Sequence, residues 1–137
     1  MAFIFWKMEK QITDILKSFY SIEAIGIKQL VGYDNLNFKI KSKEKKYIFK
    51  LFTESNDPHF LQGISDILSL LPSHFPKVIS NIHGKKIKEI ELDGKKYYIQ
   101  LLDFLEGTFL GDLEPTEEIL SSLGEVLGQL DLSLIHI

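Results

Sequence analysis

The sequence predicts an α+β fold: an antiparallel sheet of about five strands with flanking helices and a C-terminal apolar helix. Three observations predict it. Leu30 to Phe52 alternates apolar and polar residues about two polar breaks, as a run of hairpin-linked strands does. Asp93-Gly94 sits between two apolar-aromatic runs and is a strong two-residue hairpin signal. Met8 to Tyr20, Pro58 to Leu71 and the segment after Thr116 repeat their apolar residues at helical spacing.

In chain order, Met1 to Lys7 reads as an extension, and Met8 is a candidate alternative start. Met8 to Tyr20 places Ile12, Ile15, Leu16 and Phe19 on one helical face. Ile22 to Val31 leads into the first strand. Phe38 and Ile40 then alternate with Lys39 and Lys41, and Ser42 to Lys45 supplies a polar turn. In Lys46 to Phe52, Ile48, Lys50 and Phe52 share one face while Tyr47, Phe49 and Leu51 share the other. Asp57-Pro58 opens a helix that should turn Leu61, Ile64, Ile67, Leu68 and Leu71 inward. Val78 to Ile82, Lys85 to Leu92 and Lys95 to Phe104 read as extended. Leu105 to Pro115 is a connector. Thr116 caps a helix whose Ile119, Leu120, Leu123, Val126, Leu127 and Leu130 form a wide apolar stripe. Gly124 and Gly128 lie four apart on that helix, and each costs about 1 kcal/mol relative to alanine, so another element should pack closely there.

Composition narrows the function. At 137 residues, 45% apolar and net charge −3, the chain suits one globular domain without the basic bias of a nucleic-acid binder. The cluster Lys39, Lys41, Lys43, Lys45 and Lys46 is a solvated hairpin. No cysteine is present, which excludes disulfides and thiolate chemistry and suits the cytoplasm. No apolar run approaches a membrane span. His59, His74, His83 and His136 are too scattered for a zinc site.

Lys50 carries the functional argument. A lysine between two apolar neighbours on a strand face either snorkels out at the strand end or meets an anion. The upstream loop, Gly32 to Asn37, supplies backbone amides that could cradle phosphate oxygens; Asp34 and Asn35 could equally serve a tight turn.

The loop GYDNLNF followed by YIFK resembles the nucleotide-binding hairpin of the aminoglycoside phosphotransferase and choline kinase-like superfamily, and most of all its hydroxylysine kinase branch. LLDFLEG at Leu101 to Gly107 resembles the link between that family's two lobes, and LGEVLGQLDLSL the helix that follows. The resemblance covers the chain from roughly Ile25 onward and implies a kinase-like N-terminal lobe, residues 8–104, then a hinge, 105–115, and a helix, 116–137, leading toward a second lobe. It implies that Lys50 contacts the α- and β-phosphates of ATP or GTP, and that Gly32, Asp34, Asn35 and Asn37 form the phosphate loop. Ile48 would lie over the adenine, with Leu102, Asp103 and Leu105 at its edge. The loop is not glycine-rich, so neither a protein-kinase loop nor a Walker A motif is matched. Asp103-Phe104 is not a metal-binding DFG, because Leu105 follows.

Two departures accompany the resemblance. The helix after Lys50 should supply a carboxylate to the lysine, yet its register offers Gln62 and Ile64, with Asp66 next along. The HxDxxxxN loop, which supplies the base for the acceptor hydroxyl, and the following aspartate for Mg2+ are absent. The reading is therefore the nucleotide-binding lobe of a small-molecule phosphotransferase, with no catalytic or metal residues of its own and Mg2+ held mainly by a missing C-terminal lobe. That lobe, or a second copy, would dock on residues 119–130. The other reading is a non-catalytic module with this lobe shape that docks a partner through the same helix.

Overall fold

The computed structural model describes residues 2–33 and 35–135, with side chains from Trp6 onward. Three strands follow the first helix in sequence: α1 (Ala2–Tyr20), β1 (Ala24–Leu30), β2 (Leu36–Ser42) and β3 (Lys46–Thr53). Then come α2 (Pro58–Leu70), β4 (Val78–Ile79), β5 (Lys88–Leu92), β6 (Lys95–Asp103) and α3 (Glu117–Ile135), with a single 3-10 turn at Leu110–Asp112. The helix at the start runs back to Ala2, so the stretch expected to be an extension is helical instead. The short strands are shorter than the sequence implies: β4 ends at Ile79 and β5 begins at Lys88.

All strand pairs are antiparallel, in the order β1-β2-β3-β6-β4, with β5 also on β6. The six strands thus make one sheet, with β4 and β5 paired to different stretches of β6. The β5–β6 turn is the predicted one: Asp93 and Gly94 both take positive φ, 51° and 79°, as a type I′ hairpin requires.

Directly paired residues on antiparallel strands share a face, so the registers sort the sheet into two surfaces. On one lie Phe38, Ile40, Phe49, Leu51, Ile99 and Leu101. These pack with Ile12, Ile15, Leu16 and Tyr20 of α1 into the hydrophobic core. Left-handed Ser21 (φ 54°) ends α1, and the Ile22 amide donates back to the Leu16 carbonyl at 3.0 Å. On the other surface lie Asn37, Lys39, Ile48, Lys50, Phe52, Gln100 and Leu102.

The helix α2 covers part of that second surface. Asp57 caps it, accepting from the His59 amide at 2.9 Å, with Pro58 in the first turn. Its inward residues are not all those the spacing suggests. Leu61, Ser65 and Leu71 are buried, whereas Ile64 and Ile67 are 39% and 46% exposed. The apolar periodicity counted two residues that the real packing line, running through Ser65, leaves outside.

Thr116 caps α3 as expected, its Oγ1 accepting from the Ile119 amide at 3.2 Å. No residue of α3 is buried. Nothing lies within 4 Å of the Cβ positions at Gly124 and Gly128, so the close-packed element expected there is not found among the described residues. Among those residues no helix is long and apolar enough to cross a membrane.

Candidate functional site

The site is built on the second surface of the sheet, where two cross-strand rows meet. One row runs Leu30, Asn37, Lys50, Gln100 across β1, β2, β3 and β6. Its neighbour runs Lys28, Lys39, Ile48, Leu102, Val78. Lys50 is thus flanked by two amide side chains, and Ile48 lies opposite Leu102.

Lys50 is half-buried and makes no ion pair or hydrogen bond among the described residues. Burial pushes its ammonium below the ordinary lysine value. No carboxylate from α2 meets it. The Gln62 amide nitrogen donates to Asp66 at 3.0 Å, and Asp66 also accepts from Lys86 at 3.2 Å. Those hydrogen bonds hold Asp66 below the usual carboxylate range. The residue of this helix that faces the sheet is Ser65, next to the expected Ile64, and it reaches Gln100 instead: Gln100 Nε2 donates to Ser65 Oγ at 2.8 Å. Ser65 Oγ in turn donates to the Leu61 carbonyl at 2.9 Å.

The loop before β2 closes on itself. A Cβ at Gly32 would collide with the Asn37 side-chain nitrogen and stand 2.7 Å from the Asn35 carbonyl oxygen, so only glycine fits there. Asn37 Oδ1 is buried without a partner among the described residues. Val31 and Tyr33 stand almost fully exposed beside the loop. A cleft of 380 Å³, lined by Gln29, Leu30, Val31, Gly32, Asn35 and Leu36, lies beneath it. Of the residues assigned to the phosphate loop, Gly32, Asn35 and Asn37 are together here; Asp34 lies outside the described residues.

The segment after β6 is fastened at two points and open at the next. Asp103 is tied twice to Lys77: its amide donates to the Lys77 carbonyl at 3.0 Å and its carboxylate accepts from the Lys77 amide at 2.6 Å. Lys77 Nζ donates to the Leu68 and Leu71 carbonyls at the end of α2. The Phe104 amide donates to the Lys46 carbonyl at 3.3 Å. Among the described residues no hydrogen bond engages the Leu105 amide. The Phe104 ring receives Lys39 Nζ at 4.3 Å, and Lys46 Nζ meets Glu106 at 2.7 Å. A cleft of 510 Å³ opens here between the Lys41–Lys46 turn and residues Asp103, Phe104 and Glu106.

Chemically, the two rows offer an ammonium facing no counterion among the described residues, beside a loop of backbone amides. They also place Ile48 and Leu102 side by side on the same face, with the unbonded Leu105 amide beyond the end of β6. Among the described residues no three His, Asp or Glu side chains gather as metal ligands, so the residues here do not supply a donor set for Mg2+. Sequence reasoning missed the Ser65–Gln100 bond and the Lys77 clamp. Gln100 carried the signal, a polar residue inside the apolar run Ile99 to Leu102, of the same kind as Lys50.

No family model matches the chain. It is 28% identical to hydroxylysine kinase from Xenopus laevis over an alignment of 142 residues, which covers 92% of this chain and 38% of that enzyme. Among solved structures, an amicoumacin kinase in complex with AMP-PNP, Ca2+ and Ami superposes with TM-score 0.72 at 16% identity, over 91% of this chain and 39% of its own. A spectinomycin phosphotransferase in complex with ADP and spectinomycin gives TM-score 0.68 at 19% identity, over 88% and 36%. A microcompartment-associated aminopropanol kinase gives TM-score 0.68 at 15% identity, over 89% and 39%. The chain spans between 36% and 39% of the length of these proteins. The kinship read from the hairpin therefore holds: the chain is homologous to a hydroxylysine kinase and has the fold of the aminoglycoside phosphotransferase-like kinases over little more than a third of their length.

Proposed function

We infer that this chain is the nucleotide-binding lobe of a cytoplasmic small-molecule phosphotransferase whose acceptor is a hydroxylated amine or amino acid. The observation that carries it is Lys50, a half-buried ammonium on the sheet with no counterion among the described residues. Burying a cation without an anion is costly, and a nucleotide's phosphates would supply that anion. Lys50 takes the α- and β-phosphates, and the amides of residues 35–37 take oxygens of the phosphate tail. Ile48 lies over the base, with Leu102 at its edge beside the Asp103 carbonyl and Leu105 amide that read it. The base that receives the acceptor's proton, and the carboxylates for Mg2+, would belong to a second lobe packed on the exposed stripe Leu120, Leu123, Val126 and Leu127.

Thermal unfolding with Mg-ATP and Mg-GTP tests the reading. A melting temperature that rises with nucleotide, and no longer does so in Lys50→Ala, supports it. No response to either nucleotide overturns it. The lobe assignment has its own test: Leu123→Glu with Leu127→Glu should abolish association through α3 and leave the sheet folded. Sedimentation of the unaltered chain as a clean monomer, with no second lobe captured, would rule that part out.

A further inference from the structure

We propose that Asn37 and Gln100 are positioning residues for Lys50, holding its ammonium between two neutral amide oxygens so that its full charge is left for a phosphate. The inference rests on the nucleotide reading of the same site. Both residues pair directly with Lys50 in the sheet, one from each side, so their side chains stand on its face about 5 Å away at Cβ.

In each amide the oxygen is the end without a partner among the described residues. Gln100 is buried, and its nitrogen is committed to Ser65 Oγ at 2.8 Å. The Ser65 hydroxyl is itself committed to the Leu61 carbonyl, so it receives from Gln100 and cannot turn to donate. That fixes the Gln100 amide with its oxygen as the free end; no hydrogen bond engages that oxygen among the described residues. The nitrogen of Asn37 lies against Gly32, and its oxygen is buried with no partner among the described residues. A buried acceptor without a donor is a cost that an incoming donor relieves. Lys50 stands between the two in the row and its ammonium makes no hydrogen bond among the described residues; it carries three protons, one for each amide and one for a phosphate oxygen.

Neutral acceptors differ from a carboxylate in consequence. Hydrogen bonds to the ammonium favour its charged form against burial, yet they do not cancel its charge. Of the other charged groups around the site, Lys39 on β2 stacks on Phe104, Asp66 on α2 is taken by Lys86, and Lys28 on β1 is exposed to solvent; burial is what lowers Lys50.

The test follows Lys50 itself, without any enzyme assay. Lysine labelled with 13C at Cε lets the Lys50 ammonium be titrated by NMR, with Lys50→Arg assigning its signal. Asn37→Leu and Gln100→Leu should each lower the Lys50 titration midpoint by about half a pH unit or more. Asn37→Asp should raise it, and should weaken ADP binding because the new carboxylate competes with phosphate. Asn37→Leu should weaken ADP binding about threefold to tenfold. Asn37 is only partly buried, so its variants stay informative if Gln100→Leu unfolds. A Lys50 midpoint unmoved by Asn37→Leu, with the sheet intact, overturns the proposal. If the midpoints move as stated but the unaltered chain binds no ADP, the nucleotide reading falls and the amide cradle stands.

Discussion

The two faces of the sheet are built on opposite terms. Under α1, every fully buried side chain is apolar: Phe38, Ile40, Phe49, Leu51, Ile99 and Leu101 close on Ile12 and Leu16 with no polar atom among them. On the opposite face, the same three strands present Asn37, Lys50 and Gln100, and Gln100 meets α2 through a hydrogen bond to Ser65. The first face supplies stability through area removed from water. The second has fewer apolar residues in contact and more polar groups whose needs must be met. One strand therefore serves both purposes, with Phe49 and Leu51 facing the core and Lys50 between them facing the site.

Substitutions can break that contrast in order of size. Phe49→Ala, at a fully buried position, should cost about 3–5 kcal/mol and strip most of the fold's stability in urea titrations. Ser65→Ala, on the polar face, should cost about 1–3 kcal/mol because it leaves the Gln100 amide unpaired. Adding Gln100→Leu to Ser65→Ala should recover part of that loss, and a strictly additive double variant would show that the two are not partners.

Lys50→Met should go the other way and leave the apo chain as stable or more stable at neutral pH. Lys50 titrates below its unfolded value because of burial, so below the folded value both states carry the charge and the folded state bears the cost. That cost is relieved as pH rises from the folded midpoint toward about 10.4, the unfolded value. The advantage of Lys50→Met should therefore shrink as pH rises toward the unfolded value in denaturation series, and an advantage that grew would show the sign to be wrong. Smallest of all, Glu106→Gln should leave the melting temperature unchanged, since its pair with Lys46 is solvent-exposed and screened.

Much of this was legible in the residues, and the illegible part has a physical cause. The strand faces of β2 and β3 followed from period-two alternation, and the hairpin at Asp93-Gly94 from its turn chemistry. The helix α2 was placed correctly but its inward line was not. Ile64 and Ile67 fit an apolar stripe, yet Ser65 is the residue that the sheet receives, because Gln100 asks for a hydroxyl there. Periodicity counts apolar residues and is blind to a buried polar one whose partner lies 35 positions away. The Lys77 clamp on Asp103 was hidden for the same reason, its partners being 26 apart. Lys50 stood out because a charge inside an apolar run must either snorkel out or meet an anion. Its neutral neighbours were harder to see, since nothing in a linear sequence says which amide stands beside it.

The place of β6 in the sheet carries a further consequence, for how the chain folds. The strands β1, β2 and β3 are neighbours in sequence and pair locally, so their meander can form early. But β3 finds its other partner only in β6, across Tyr47↔Asp103 to Thr53↔Tyr97, which means closing a loop that contains α2, β4 and β5. Until β6 docks, β3 is an open edge with Phe49 and Leu51 exposed on it, a template for pairing with another chain. The polar row is then also unfinished, because Gln100 arrives with the last strand. Native surroundings for Lys50 thus come last, and an unfolding event that lifts β6 would dismantle the site and expose the core in a single step.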